Sequence, residues 1–437
     1  MKISVIGVGY VGLVTSACLA KLGHKVIGAD NDEDKIEKLK NSIIPIYEPG
    51  LEELIKAGKK NGKLSFTSDI KEAVRNSEII FICVGTPPRK NGEADLSAVK
   101  RVARIVAEEM TSYKLIVGKS TVPVNTGAWI KKTIKLYNKK NIEFDVASNP
   151  EFLRGGSAVY DFLNPERIII GVDSERAKDI LMELYKDIQT TKVITNINTA
   201  EIIKYASNSF LAMKISFINS LSHICERAGA DVARVAEGMG YDKRIGGVLN
   251  AGPGYGGYCL PKDTSAFIHM AKKLGYDFHL LKSVEKVNEE QKQFVVKKIV
   301  EALEKAGKGK KTCVLQGKQI GILGLSYKPN TDDIRFSSAI DIIRKLLSKG
   351  ATIKGYDPKA LTNAKKKIKK IIPCRNPYEV ADKSDALVIL TDWEEFKKLD
   401  LLKIKKLLKT LIFIDARNLY DPVKMKKLGF IYKGVGR

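Results

Sequence analysis

The chain has 437 residues, 44% of them hydrophobic, with 75 lysines and arginines against 50 aspartates and glutamates. That length exceeds one ordinary core, and six scattered cysteines and four histidines with no CxxC or HExxH spacing argue against a disulfide framework or a zinc site. The net charge of +25 would attract anions, but the basic residues fall mostly on helix faces without interleaved aromatics, as on a solvated lysine-rich surface, so nucleic acid is not an expected partner; an anionic nucleotide substrate fits the charge equally well.

In chain order, residues 2–7 predict a buried strand, 10–23 a helix and 25–30 a second strand. Met1–Gly7 carries no signal-peptide pattern and no apolar run reaches bilayer length, so a cytoplasmic protein without a membrane role is expected. Strands follow at 64–67, 78–84, 114–119 and 144–148, with helical patterns between them and two further strands at 167–172 and 192–195. Such alternation predicts a parallel, doubly wound sheet. From about Thr199 to Ala228 the pattern is one long proline-free helix, suited to joining domains or forming a dimer interface. More helix continues to about Ala306, and Gly307 to Lys311 reads as a surface linker. A second α/β pattern then gives strands at 319–323, 352–356, 386–391 and 411–415, opening on Gly321 to Ser326, which resembles a degraded phosphate-binding turn. The fold class is therefore α/β: two Rossmann-like parallel-sheet domains around a helical middle, with boundaries at 1–198, 199–308 and 309–437.

Gly7-Val8-Gly9-Tyr10-Val11-Gly12 follows a strand and opens a helix, the context a dinucleotide fingerprint requires. Gly7 permits the tight turn, Gly9 lets a pyrophosphate approach and Gly12 lets helix pack on strand. Asp30 ends the second strand, where a carboxylate holds ribose hydroxyls and repels a 2′-phosphate, favouring NAD over NADP. Thr86 and Thr121 each follow a predicted strand, where ligands of open parallel sheets bind; taken singly, each is as well explained as a cap or turn residue. In Gly254-Tyr255-Gly256-Gly257-Tyr258-Cys259-Leu260-Pro261-Lys262-Asp263, a cysteine follows a glycine-rich turn and precedes a lysine. A nicotinamide site with a nucleophilic cysteine is the minimum equipment for oxidising an aldehyde to an acid. Alone, Asp263 could equally be a helix N-cap, and Cys18, Cys83 and Cys225 read as packing.

These motifs, with Gly85-Thr86-Pro87, Ser120-Thr121-Val122-Pro123, Asn149-Pro150-Glu151-Phe152-Leu153-Arg154, the stretch from Ala200 to Asn208, that from Gly324 to Arg335, and Asp415-Ala416-Arg417, span essentially the whole chain. In them the sequence resembles the UDP-glucose/GDP-mannose dehydrogenases, and among these the members acting on UDP-glucose. The resemblance implies a double oxidation: UDP-glucose, two NAD and water give UDP-glucuronate and two NADH. It implies a homodimer, with Cys259 as nucleophile, Lys204 and Asn208 stabilising the oxygen, and Asp263 and Glu151 as alternatives for activating water. It assigns Thr121 to water or nicotinamide. Cofactor contacts would be Gly7, Gly9, Val11, Gly12, Asp30, Lys35, Thr86, Thr121, Lys262 and Arg335. Substrate contacts would be Glu151, Phe152, Leu153, Arg154, Lys204, Asn208, Leu249, Asn250, Ala251, Gly252, Gly256, Lys328 and Arg417, with Arg244 contributed across the dimer. No metal is implied.

The chain departs from the family pattern at four points: Gly155 stands where a glutamate is usual, Tyr258 where a small residue or histidine is, Val248 for an aromatic and Phe336 for an acidic residue. Two alternatives stay open: a family member acting on UDP-N-acetylhexosamine or GDP-mannose, and a non-catalytic nucleotide-sugar or NAD sensor.

Overall fold

The computed structural model describes residues 1–89, 91–306 and 315–437, which form two compact units. Residues 1–207 and 265–276 make the first, 208–264 and 277–437 the second. The expected linker at 307–311 and Cys313 lie outside the described residues. Among the described residues, no helix is long and apolar enough to cross a membrane.

The first unit is built on eight strands: β1 (Lys2–Ile6), β2 (Lys25–Ala29), β3 (Leu64–Thr67), β4 (Ile79–Ile82), β5 (Lys114–Gly118), β6 (Phe144–Ser148), β7 (Arg167–Val172) and β8 (Thr191–Thr195). Their order is β3-β2-β1-β4-β5-β6-β7-β8. Both faces are covered, which is why β4 reads Ile-Ile-Phe-Ile and is buried throughout. Ile79 and Phe81 enter one apolar cluster, Ile80 and Ile82 another, as alternate side chains of a strand must. The sheet is not wholly parallel as predicted: β6 and β7 pair antiparallel. Their connection carries only the short helix Ala158–Leu163 and does not make the crossover that parallel pairing needs.

The second unit has a six-stranded parallel sheet of β9 (Gln319–Leu323), β10 (Thr352–Tyr356), β11 (Ile371–Pro373), β12 (Ala386–Ile389), β13 (Ile412–Asp415) and β14 (Ile431–Gly434). Its order is β11-β10-β9-β12-β13-β14, so the edge strands β11 and β14 add to the four predicted. Strand order reverses between β1 and β4 in one sheet and between β9 and β12 in the other. Beyond the carboxyl ends of such strands lie the ligand crevices of doubly wound folds.

The turn after β9, which resembles a degraded phosphate-binding turn in sequence, is also a degraded one in structure. The helix Ser338–Ser348 begins well after it, and Asp357 fills the turn, accepting from the N–H groups of Leu325 (2.8 Å) and Ser326 (3.0 Å). Those donors are spent on a protein carboxylate, so a phosphate has no claim on them.

The middle of the chain is helical: Ile197–Ala228, Val232–Gly240, Cys259–Lys273 and His279–Ala306. The first of these runs 32 residues and carries exposed Phe210, Phe217 and Ile224 at seven-residue spacing, one face of a helix.

Candidate active site

In the first unit, a cleft of about 410 Å³ opens beyond β1 and β4, lined by Gly7, Gly9, Asp30, Lys35, Val84 and Gly85 among others. Gly7 adopts φ +95°, and a Cβ there would meet the Val84 nitrogen at 2.8 Å. A Cβ on Gly12 would lie 1.9 Å from the Gly7 carbonyl oxygen, so only glycine lets the helix Tyr10–Lys21 start there. Nothing lies within 4 Å of a Cβ built on Gly9, which leaves its backbone open to a ligand. Asp30 is buried; its Oδ2 accepts from the Val8 N–H (3.0 Å) and pairs with Lys35 Nζ (3.0 Å). A bare helix N-terminus, an open glycine and a carboxylate at the end of β2 fit the pyrophosphate and ribose of a dinucleotide. Val11 is half-buried at the start of the helix. Thr86 turns its hydroxyl to the Thr121 carbonyl (2.9 Å), which ties together the two loops beyond β4 and β5. Replacing Asp30 with asparagine is expected to raise KM for NAD about tenfold, the worth of a charged hydrogen bond, and to narrow the preference over NADP. Steady-state kinetics with both cofactors check this.

The loop after β6 carries Glu151, buried, with Oε1 3.2 Å from Lys204 Nζ and Oε2 accepting from the Leu153 N–H at 2.6 Å. Lys204 is also buried, its ammonium 5.1 Å from the Phe152 ring. Arg154 is exposed and committed to Asp161 through a forked ion pair. Glu48 was missed by residue-level reading. It takes the N–H groups of Gly156 and Ala158 (2.7 Å each) and the Tyr10 hydroxyl, so a carboxylate supports the loop at Gly155 from another segment. A lone glutamate in a Tyr-Glu-Pro-Gly turn gave no signal of this.

Glu201, one turn before Lys204, was missed as well. It is buried, and its Oε1 accepts from the Gly127 N–H (2.8 Å) at the start of the helix Thr126–Tyr137. Burial raises its carboxyl to about 7, against the lowering effect of the backbone N–H groups of Gly127, Asn125 and Thr126. A carboxyl raised in the folded state stabilises most below its unfolded value, and that stability is lost as pH rises from about 4.5 through about 7. Glu201→Gln should therefore flatten the pH dependence of the urea midpoint across that window.

In the second unit, Cys259 follows the glycine-rich turn as the first residue of a helix, and it is exposed. Pro261 is tolerated there because the N–H groups of a helix's first turn have no intrahelical acceptor, so no helix hydrogen bond is lost. The helix start also overturns the N-cap reading of Asp263, which lies inside the helix and is fully buried. Its Oδ2 accepts from Asn208 Nδ2 at 2.6 Å and its Oδ1 pairs with the buried Lys262. Asn208 follows Lys204 by four residues, one turn of the same helix.

The predicted substrate segment is clamped by amides that residue reading did not find. Asn219 Oδ1 accepts from the Gly252 N–H (2.9 Å) and Gln291 Nε2 donates to the Gly252 carbonyl (2.7 Å). Asn288 bonds both the N–H and the carbonyl of Tyr255. Leu249 and Ala251 are buried and Asn250 is exposed. A Cβ on Gly252 would lie 3.3 Å from Arg417, whose Nε donates to the Leu390 carbonyl (2.9 Å) beyond β12, so these two candidates share one neighbourhood. Lys328 Nζ lies 5.9 Å from the Tyr327 ring, and Arg244 is exposed against Asp242.

Two departures from the family pattern prove to be one packing event. Tyr258 contacts the Phe336 ring (centroids 6.4 Å apart), and the Arg335 guanidinium lies 4.3 Å over Tyr258. Phe336 takes φ +49°, and a Cβ on Gly256 would meet its carbonyl oxygen at 2.4 Å, so Gly256 must stay glycine. Val248 also sits at positive φ (67°), a strained state for a β-branched residue.

A dinucleotide cleft at the first switch point, and an exposed cysteine opening a helix, define the class: an NAD-dependent dehydrogenase. Models of the UDP-glucose/GDP-mannose dehydrogenase family match the chain in three parts, the NAD binding domain at residues 1–189, the central domain at 198–290 and the UDP binding domain at 321–422. The chain belongs to that family. It is 47% identical to UDP-glucose 6-dehydrogenase TuaD of Bacillus subtilis, over 100% of this chain and 93% of that protein. Among solved structures, a UDP-glucose dehydrogenase from Pyrobaculum islandicum is 39% identical with a TM-score of 0.91, covering 99% of this chain and 97% of that one. A UDP-D-ManNAc dehydrogenase from Pyrococcus horikoshii is 31% identical with a TM-score of 0.88, covering 100% and 99%.

Proposed function

We propose that the protein oxidises UDP-glucose to UDP-glucuronate in two NAD-dependent steps at one cysteine. The observation that carries this reading is the exposed Cys259 thiol at a helix N-terminus, where partial positive charge favours a thiolate. Bound NAD supplies the hydride acceptor for each oxidation. The first oxidation converts the C6 alcohol to an aldehyde, and the Cys259 sulfur adds to its carbonyl carbon, giving a thiohemiacetal. Loss of a second hydride leaves a thioester. Water then displaces the sulfur, releasing the carboxylate and regenerating the thiol.

Lys204 and Asn208, a turn apart on one helix, stabilise the oxygen at C6 as it gains charge. Both Asp263 oxygens are engaged, by Asn208 and by Lys262, which suits an anchor for those two side chains better than a base. Glu151 is the group we assign to activating water. The Asp30–Lys35 pair holds the cofactor's ribose, and Leu249 to Gly252 with Arg417 hold the diphosphate end of the substrate. The apolar stripe of Phe210, Phe217 and Ile224 supports a homodimer, and the cytoplasm is the proposed location.

The likeness to a UDP-D-ManNAc dehydrogenase keeps an acetamido-sugar substrate as the second reading. The test is kcat/KM for UDP-glucose, UDP-N-acetylglucosamine, UDP-N-acetylmannosamine and GDP-mannose. A preference for UDP-glucose of about 100-fold or more, two tenfold steps of binding energy, is expected. An acetamido sugar turned over faster would replace the first reading with the second.

A further inference from the structure

Lys119 is a buried cation that the proposed chemistry does not use. It follows β5, is 4% exposed, and donates to two oxygens of one residue: the Asn149 carbonyl (3.2 Å) and Asn149 Oδ1 (2.9 Å). Both acceptors are neutral, and no carboxylate lies within ion-pair distance of it among the described residues. Its other surroundings are the rings of Phe81 and Phe162, at 5.9 and 5.8 Å. An ammonium buried without a counter-ion costs several kcal/mol, about the scale of a whole domain's stability margin, so a purely structural lysine is a poor choice for the position.

What it holds is the root of the Glu151 loop. Asn149 is fixed on every side: its N–H donates to the Gly118 carbonyl (2.8 Å), its Nδ2 to the Ile169 carbonyl (2.8 Å), and its Oδ1 also accepts from the Tyr185 hydroxyl (2.6 Å). Pro150 then restricts Asn149 to extended backbone, and Glu151 follows. We propose that Lys119 is a positioning residue for thioester hydrolysis: its ammonium locks Asn149, and through it the carboxylate of Glu151, and adds a second positive charge to that of Lys204 near that carboxylate. This rests on the proposed role of Glu151.

Burial pulls the Lys119 ammonium down from 10.5 to about 8, with Cys83 and Glu151 raising it and Lys204 lowering it. Its remaining titratable neighbours are Cys83, pushed up to about 12 by burial, and Tyr185, raised further still, so neither changes charge near pH 8. Lys119 is therefore charged below about pH 8 and loses its charge as pH rises through that value.

The experiment uses the full-length enzyme with NAD and UDP-glucose and compares Lys119→Met and Glu151→Gln with the parent. Three quantities are read: the burst of NADH, the covalent sugar adduct on the acid-quenched protein by intact mass, and kcat from about pH 7 to about pH 9.5. For Lys119→Met the expected result is an unchanged burst, an accumulating adduct and kcat lowered about 10- to 100-fold, the scale of a misplaced catalytic group. The alkaline fall near pH 8 expected of the parent should be missing from this variant. Parental kcat without adduct, or loss of burst and hydrolysis together, overturns the proposal. If Lys119→Met does not fold, the parent's own profile decides: a fall through about pH 8 supports the proposal and a flat profile overturns it. Parental hydrolysis by Glu151→Gln would instead remove the assigned role of Glu151 on which the proposal stands.

Discussion

Cys259→Ser is expected to abolish UDP-glucuronate formation, lowering turnover by about 10³-fold or more, the scale on which losing a nucleophile acts. The side chain is exposed, so the substitution leaves no cavity and stability should change little. A serine hydroxyl at the same helix terminus is far less ionised at neutral pH than a thiol, and the helix dipole alone, worth about 1 kcal/mol, does not close that gap. The variant should still bind NAD and sugar nucleotide, because the Asp30 cleft and the Gly252 loop are untouched. Isothermal titration for binding and product analysis for turnover separate these effects. A sensor would show parental binding and no turnover in either protein, whereas full double oxidation by the serine variant would exclude covalent capture at Cys259.

Lys204→Met should damage both activity and stability. Glu151 and Lys204 are each about 95% shielded and lie 3.2 Å apart. Removing one partner of a buried pair leaves the other charge uncompensated, typically at about 3–5 kcal/mol. Urea denaturation should register a loss on that scale. Activity should fall by about 10²- to 10³-fold, the cost of removing one oxyanion donor. The double variant Lys204→Met with Glu151→Gln should recover much of the stability and none of the activity, since it removes the stranded charge but not the need for it. Single and double variants losing equal stability would mean that the pair is not coupled.

The strands of both sheets were legible where they are buried on two faces, because β4 and β12 are then continuous apolar runs and β1 and β9 are broken only by Ser4 and by the polar residues at their starts. The edge strands β11 and β14 were not: one is three residues long and ends in Pro373, and the other, Ile431-Tyr432-Lys433-Gly434, shows no alternation of apolar and polar residues although its burial alternates. The antiparallel turn into β7 left no mark, since β7 itself is as apolar as its parallel neighbours. Local chemistry was readable at the fingerprint, where Gly7, Gly9, Gly12 and Asp30 lie within one βαβ unit. Contacts between distant segments were not readable from residue types. Asp263 meets Asn208 from 55 positions away and Glu48 reaches Gly156 across 108. In a chain with 75 basic residues, nothing marked Lys119 or Lys204 as buried; the family resemblance singled out Lys204, and only packing distinguishes Lys119.

Two oxidations at one cysteine can be read directly by counting NADH against product with limiting UDP-glucose and excess NAD. The expected result is two NADH for each UDP-glucuronate, no free aldehyde released to a carbonyl trap, and a transient covalent adduct on Cys259. One NADH per sugar with trappable aldehyde, or two NADH with no adduct at any time on a Cys259 peptide, would contradict it.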